Sequence, residues 1–169
     1  YTTRVGAGPL PTELSNAMGE YLRTRGNEYG TSTGRPRRTG WLDTVVGRLA
    51  VELCGAEGVA LTKLDVLDDI DPIPVCVGYR LDGKILETMP ALVEDIERLE
   101  PVYENLPGWK TKTTSVTRYA DLPAAAKRYV AFVEEKVGAP AVFISTGPRR
   151  EETIWRDDLP FLATLPKPR

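Results

Sequence analysis

No histidine occurs anywhere in this sequence of 169 residues. Its absence removes the side chain most often used as a general base near neutral pH, and with it the commonest metal ligand. Cysteine is almost missing too. Cys54 and Cys76 each sit inside an apolar stretch, without C-x-x-C spacing. That argues against a disulfide scaffold or a metal site and predicts two buried thiols in a reducing compartment. There is no apolar run near the ~20 residues that a bilayer-spanning helix requires, and no basic, apolar and small-residue series of a secretory signal. A cytoplasmic protein with no membrane partner is expected. Neither sign of charge prevails. Twenty-two Lys and Arg stand against 24 Asp and Glu, a formal net charge of -2, so any anion must be gripped locally. A phosphate loop of the form G-x-x-x-x-G-K-[ST] is also lacking. The chain opens on Tyr1-Thr2-Thr3-Arg4-Val5 with no initiator methionine, which predicts that it begins within a longer protein.

What is present suits a globular chain: 41% hydrophobic and 27% charged residues, at a length that fits one domain with at most an appendage. Gly6 to Pro11 reads as a turn region, and Thr12 to Arg25 as a helix closed by Gly26. Asn27 to Gly40 has no periodicity and reads as an exposed, shaped loop. Val45, Val46, Leu49, Ala50 and Leu53 fall on one face of a helix capped by Asp43 and stopped by Gly55. Gly58 to Leu64 reads as a buried strand. Val75 to Arg80 and Lys84 to Thr88 read as a hairpin turning at Asp82-Gly83. A short helix is expected within Pro90 to Pro101, and polar, irregular chain from Pro107 to Tyr119. Asp121 is the expected N-cap of a helix that buries Leu122, Ala126, Tyr129, Val130, Val133 and Val137 and ends at Gly138. Ala141 to Ile144 makes a second short buried strand. Residues 159–169 form a Pro-rich tail expected to fray.

Three constellations could carry chemistry. Thr62-Lys63-Leu64-Asp65 lies where a strand ends, the place where open α/β sheets bind ligands. A carboxylate there can accept from both N1-H and the exocyclic amine of guanine, while a lysine stem covers the base face. A pair of solvated side chains explains the same four residues. Thr31-Ser32-Thr33-Gly34-Arg35-Pro36-Arg37-Arg38 sets hydroxyls and glycine amides beside arginines able to clamp carboxylate or phosphate. A solvated basic loop or a nucleic-acid patch are its alternatives. The acidic total and the lack of interleaved aromatics speak against nucleic acid. Ser145-Thr146-Gly147-Pro148 ends the second strand, where glycine lets backbone approach a ligand closely; an ordinary turn is the plainer reading.

Arg4-Val5-Gly6-x-Gly8-Pro9-x-Pro11-Thr12-Glu13, the run Gly26-Asn27-Glu28-Tyr29-Gly30-x-x-Thr33-Gly34-Arg35-x-Arg37-Arg38-x-Gly40-Trp41-Leu42-Asp43, then Thr62-Lys63-Leu64-Asp65-Val66-Leu67-Asp68, and finally Ser145-Thr146-Gly147-Pro148 stand in order along the chain. Together they resemble the C-terminal part of the adenylosuccinate synthetase family, from the first residue to about Arg156. The resemblance implies a GTP-driven ligation of L-aspartate to inosine monophosphate (IMP). In that family a carboxylate deprotonates the base, GTP phosphorylates its 6-oxygen, and the aspartate amine displaces the phosphate, with Mg2+ and a histidine assisting. It implies that Thr31, Ser32, Thr33, Gly34, Arg35, Pro36 and Arg37 bind aspartate, that Arg35 also meets IMP, and that Arg37, Lys63, Leu64, Asp65, Ser145, Thr146 and Gly147 bind GTP. No catalytic residue and no metal ligand is expected in this chain, because the family keeps its phosphate loop, catalytic aspartate, magnesium ligands and catalytic histidine in its N-terminal region. A homodimer is implied. The expected fold is α/β with α+β elements, the C-terminal portion of a P-loop-NTPase-like mixed sheet with flanking helices and a β-hairpin, over residues 1–158. Alone, the chain is expected to be inactive. The competing class is a non-catalytic guanine-nucleotide-binding module.

Overall fold

A computed structural model describes residues 1–156 and 158–159. The expected tail, apart from Leu159, lies outside the described residues. The first helix, α1 (Ala17–Arg25), starts five residues later than its composition suggests, because Asn16 caps it by accepting from Met18 N at 3.0 Å and Gly19 N at 3.2 Å. Before it, Glu13 bridges to Gly40 in extended conformation. Gly26 closes the helix with an ordinary right-handed backbone (φ -80°). The expected Asn27–Gly40 loop is shorter than predicted. Its end forms β2 (Arg38–Gly40), antiparallel to β1 (Thr2–Arg4), and both Glu28 and Thr39 are buried.

Asp43 ends β3 (Leu42–Asp43) and caps α2 (Thr44–Cys54) through Val45 N and Val46 N, each at 3.1 Å, while Tyr79 Oη donates to its second oxygen at 2.6 Å. Gly55 stops α2 in the left-handed region, as expected. The apolar stripe predicted for this helix is mostly not core: Val45 is buried, but Val46 and Leu53 are exposed. The reason is the approach of α4 (Ala124–Val137), which meets α2 at Gly47. A Cβ on Gly47 would stand 2.9 Å from Val137 Cγ1, so the packed face is rotated toward that glycine. Cys54 is consequently exposed, against expectation, whereas Cys76 is buried and its thiol is pushed up to about 12 by desolvation.

The mixed α/β architecture has three sheets among the described residues. In one, β5 (Ile73–Leu81) pairs in parallel with β3 and antiparallel with β6 (Lys84–Leu86) and β7 (Glu100–Leu106). The hairpin turns at Asp82-Gly83 as expected, both at positive φ. The Pro90–Pro101 region yields a single helical turn, α3 (Val93–Ile96), and β7 follows it unannounced. Among the described residues this strand pairs only with β5, so Pro101 removes no donor that a second neighbour there would need.

In the third sheet β4 (Val59–Leu61) runs parallel to β8 (Ala141–Ser145), with Leu61 opposite Ile144, and β9 (Thr153–Trp155) pairs antiparallel to β8. The two strands predicted from short apolar runs are therefore neighbours. β4 is shorter and only half-buried, because Leu64 already belongs to a 3-10 turn spanning Leu64–Leu67. Behind it α4 buries five of the six predicted residues, while the sixth, Leu122, is buried just before the helix begins, and Trp109 stands edge-on to Tyr129 at 5.8 Å. Pro123, not Asp121, occupies the N-cap position of α4, since Asp121 closes a separate 3-10 turn. The irregular 107–119 stretch is pinned by buried Asp68, which accepts from Trp109 Nε1 at 2.8 Å, Thr113 N at 2.9 Å and Thr113 Oγ1 at 2.7 Å.

Candidate functional site

Because β4 and β8 are parallel neighbours, their C-terminal ends open side by side. The two turns that follow, one at Thr62–Asp65 and one at Ser145–Pro148, line a cleft of about 660 Å³. Lys63 stitches them together: its backbone N–H donates to Ser145 Oγ at 2.8 Å, and it holds a left-handed backbone (φ 60°) as the chain turns into the 3-10 segment. A non-glycine residue in that conformation costs of order 1 kcal/mol and persists only where its surroundings fix it. The Lys63 ammonium crosses to the end of α1, donating to Gly26 O at 2.6 Å and Glu28 Oε1 at 2.7 Å.

Asp65 also lines the cleft. Burial raises its pKa above the ordinary carboxylate value, with Asp68 and Glu152 adding repulsion; its own amide and Arg25 oppose this. Among the described residues no side-chain hydrogen bond reaches this carboxylate. A carboxylate engaged only by its own backbone amide among the described residues thus faces a cleft rimmed by Arg25, Arg149 and Arg150.

The other residues of these two turns divide by side chain and backbone. Ser145 and Gly147 line the cleft. A Cβ on Gly147 would stand 2.4 Å from Glu152 Oε2, so any larger residue there requires that carboxylate to shift. Thr146 does not line it: fully buried, its hydroxyl lies 3.0 Å from Val116 O and 3.1 Å from Glu152 O. Leu64 is 1% exposed, its side chain in the core. These two residues can meet a ligand only through backbone.

The second constellation stands apart. None of residues 31–37 lines the cleft. Thr31 to Pro36 are exposed, and the loop is closed at its base by Gly30 N to Arg35 O and Gly34 N to Gly30 O, each at 2.8 Å, with Tyr29 bridged to Pro36. Gly34 takes the left-handed conformation that this tight return requires. Arg37 turns back into the protein and donates to Glu28 Oε2 at 2.9 Å. Arg38 pairs with Glu13 and donates to Gly8 O at 2.6 Å, bracing the Gly6–Pro11 turn. With two of its three arginines committed to internal carboxylates, the loop offers little to a nucleic-acid backbone.

Glu28 is the residue that sequence reasoning missed. It is 3% exposed and takes Lys63, Arg37 and the Tyr1 hydroxyl, the last at 2.7 Å. Burial alone would raise its pKa, but these three hydrogen bonds outweigh it and hold the carboxyl below the usual range. Its signal was the position inside the Gly26–Gly30 run, two residues past the C-cap of α1. Among the described residues no group of three or more His, Cys, Asp or Glu side chains converges to hold a metal ion, and no helix is long and apolar enough to cross a membrane.

The family model of adenylosuccinate synthetase matches residues 1–154. The chain is 56% identical over 154 residues to the adenylosuccinate synthetase of Trichlorobacter lovleyi, covering 91% of this chain, and 53% identical over 156 residues to that of Thermomicrobium roseum, covering 92%. In both cases it spans only 36% of the relative's length. The solved structure of fully ligated adenylosuccinate synthetase from Plasmodium falciparum superimposes with a TM-score of 0.85 at 42% identity, over 92% of this chain and 38% of that one.

Proposed function

The chain belongs to the adenylosuccinate synthetase family, and from that premise we propose that it forms the base-reading and aspartate-gripping part of a GTP-dependent ligase that joins L-aspartate to IMP in purine nucleotide synthesis. The observation that carries this reading is the parallel pairing of β4 with β8, which puts Lys63, Asp65, Ser145 and Gly147 around one cleft. Asp65 accepts from guanine N1-H and the exocyclic amine, which adenine does not present in that pattern. The Lys63 stem lies along the base, and the Ser145–Gly147 turn closes over its edge, Leu64 and Thr146 contributing backbone. Arg37 reaches GTP from the base of the 31–37 loop. Arg35, exposed at the loop's returning end, meets aspartate and IMP, and Thr31 to Pro36 supply hydroxyl and amide donors to the aspartate carboxylates.

In this reading the three sheets are the C-terminal portion of a larger P-loop-NTPase-like mixed sheet, in a cytoplasmic homodimer. Magnesium supplies charge neutralisation at the transferred phosphate when bound, but the acidic residues described here do not converge on a point that would hold it. Its ligands and the acid-base groups belong to the remainder of the protein, so this chain's own work is to bind and orient.

The test is direct. The full-length protein, given IMP, L-aspartate and Mg2+, should form adenylosuccinate with GTP and not with ATP, while the 169-residue chain alone should form none. Equal use of ATP would end the base-reading assignment, and turnover by the chain alone would end the division of labour.

A further inference from the structure

The proposed function assigns no ligand to Glu28, yet Glu28 holds two side chains, Lys63 and Arg37, to which it does assign one. One buried carboxylate takes Lys63 Nζ on Oε1 at 2.7 Å and Arg37 Nη1 on Oε2 at 2.9 Å. The two cations come from different elements: Lys63 from the end of β4, itself tied to β8 through Ser145 Oγ, and Arg37 from the base of the exposed 31–37 loop. The backbone of Glu28 adds a second tie to that loop, since its carbonyl accepts Arg37 N at 2.9 Å. A carboxylate taken out of water is costly unless it is paired, and a buried anion shared by two cations fixes both geometries at once. Lys63 has one further acceptor, Gly26 O, whereas the Nε of Arg37 is buried without a partner. Arg37 therefore depends on Glu28 more heavily than Lys63 does.

We infer that Glu28 is a positioning residue that locks Lys63 and Arg37 into one unit, so that filling the guanine cleft and setting the base of the 31–37 loop are a single event. The inference rests on the guanine-binding reading given above. Glu28 meets no ligand; it acts through the two cations.

The experiment uses the full-length protein and GDP as probe, with affinity read by calorimetry. Glu28→Gln keeps the volume and removes the charge that both cations face. GDP should bind about tenfold more weakly, the loss expected when charge-assisted hydrogen bonds become neutral ones. The KM for GTP should rise by a similar factor, with kcat changed far less. Tyr1→Phe removes only a neutral donor from the same carboxylate and should bind GDP within about twofold of wild type, because both charge-assisted bonds remain. A folded Glu28→Gln protein that binds GDP like wild type would overturn the inference and leave the guanine reading intact. So would a Tyr1→Phe protein that loses as much affinity, since Glu28 would then be packing and not positioning. Should Glu28→Gln not fold, Glu28→Asp keeps the charge and withdraws it by one methylene. Its GDP affinity should fall severalfold, and wild-type affinity there would overturn the inference equally. Wild-type protein that binds no GDP would sink the guanine reading and this inference together.

Discussion

Asp65→Asn is the sharpest test of how the cleft reads its ligand. The Asp65 carboxylate lines the cleft and is half-buried, and no side-chain hydrogen bond engages it among the described residues. In the proposed complex it accepts two donors from guanine. Hydrogen bonds to a charged group contribute roughly 1.5 to 3 kcal/mol each. Asparagine keeps one acceptor but turns an amide N–H toward a guanine N–H, so one bond is lost and a repulsion replaces it. The net loss is about 2 to 4 kcal/mol, or about 30- to 900-fold in GTP affinity. Xanthosine triphosphate reverses the pattern, because its 2-oxygen repels the carboxylate and accepts from the amide. The assay is the ratio of kcat/KM for GTP and xanthosine triphosphate in the full-length protein, wild type against variant. The ratio should move toward xanthosine triphosphate by more than the loss for GTP alone. An unchanged ratio would refute the assignment of Asp65 to the base. The pH dependence carries the same logic. Burial raises the Asp65 pKa above the ordinary carboxylate value, and nucleotide binding needs the ionised form. GTP affinity should begin to fall, as pH is lowered, at a pH above that expected for an ordinary aspartate, and that early loss should be absent from Asp65→Asn.

Two predictions concern the frame around the cleft. Gly147→Ala places a methyl where the Glu152 carboxylate lies, 2.4 Å away; it should cost about 1 to 3 kcal/mol in urea unfolding, as overpacking does, and weaken GDP binding, whereas wild-type stability would mean the turn relaxes freely. Asp68→Ala strands the buried donors Trp109 Nε1 and Thr113 N. Each unsatisfied group costs about 1 to 3 kcal/mol, so the unfolding free energy in urea should fall by about 2 to 6 kcal/mol, and a near-neutral effect would show that 107–119 is not held by this carboxylate.

The parts legible in the sequence are those that depend on neighbours along the chain. The stops at Gly55 and Gly138, the turn at Asp82-Gly83 and the buried face of α4 were readable because capping, positive φ and helical period are local properties. The errors share a different cause. β7 was hidden because its pairing with β5 is decided by residues 20 to 33 positions away and its sequence carries Pro101. The outward stripe of α2 was misread because Gly47, a residue without a side chain, chose which face α4 covers. At the site, short motifs named Lys63, Asp65 and Ser145 as candidates, but only the register of β4 on β8 brings them to one cleft.

Glu28 shows why a site cannot be read from its ligand-facing residues alone. Motif reasoning asks which side chains could meet a ligand, and a buried carboxylate between a tyrosine and two cations answers a different question, namely what holds those side chains in place. Lys63 and Arg37 lie on turns 26 residues apart in number, and no periodicity connects them. Burying one anion between them makes their positions interdependent, because the loss of either cation leaves one oxygen of a buried carboxylate short of its charged partner. In the proposed complex, a loop that is exposed from Thr31 to Pro36 but anchored at Arg37 adapts over aspartate while its base stays registered to the cleft at Lys63. That division, an adaptable tip on a fixed root, follows from where the buried charge sits.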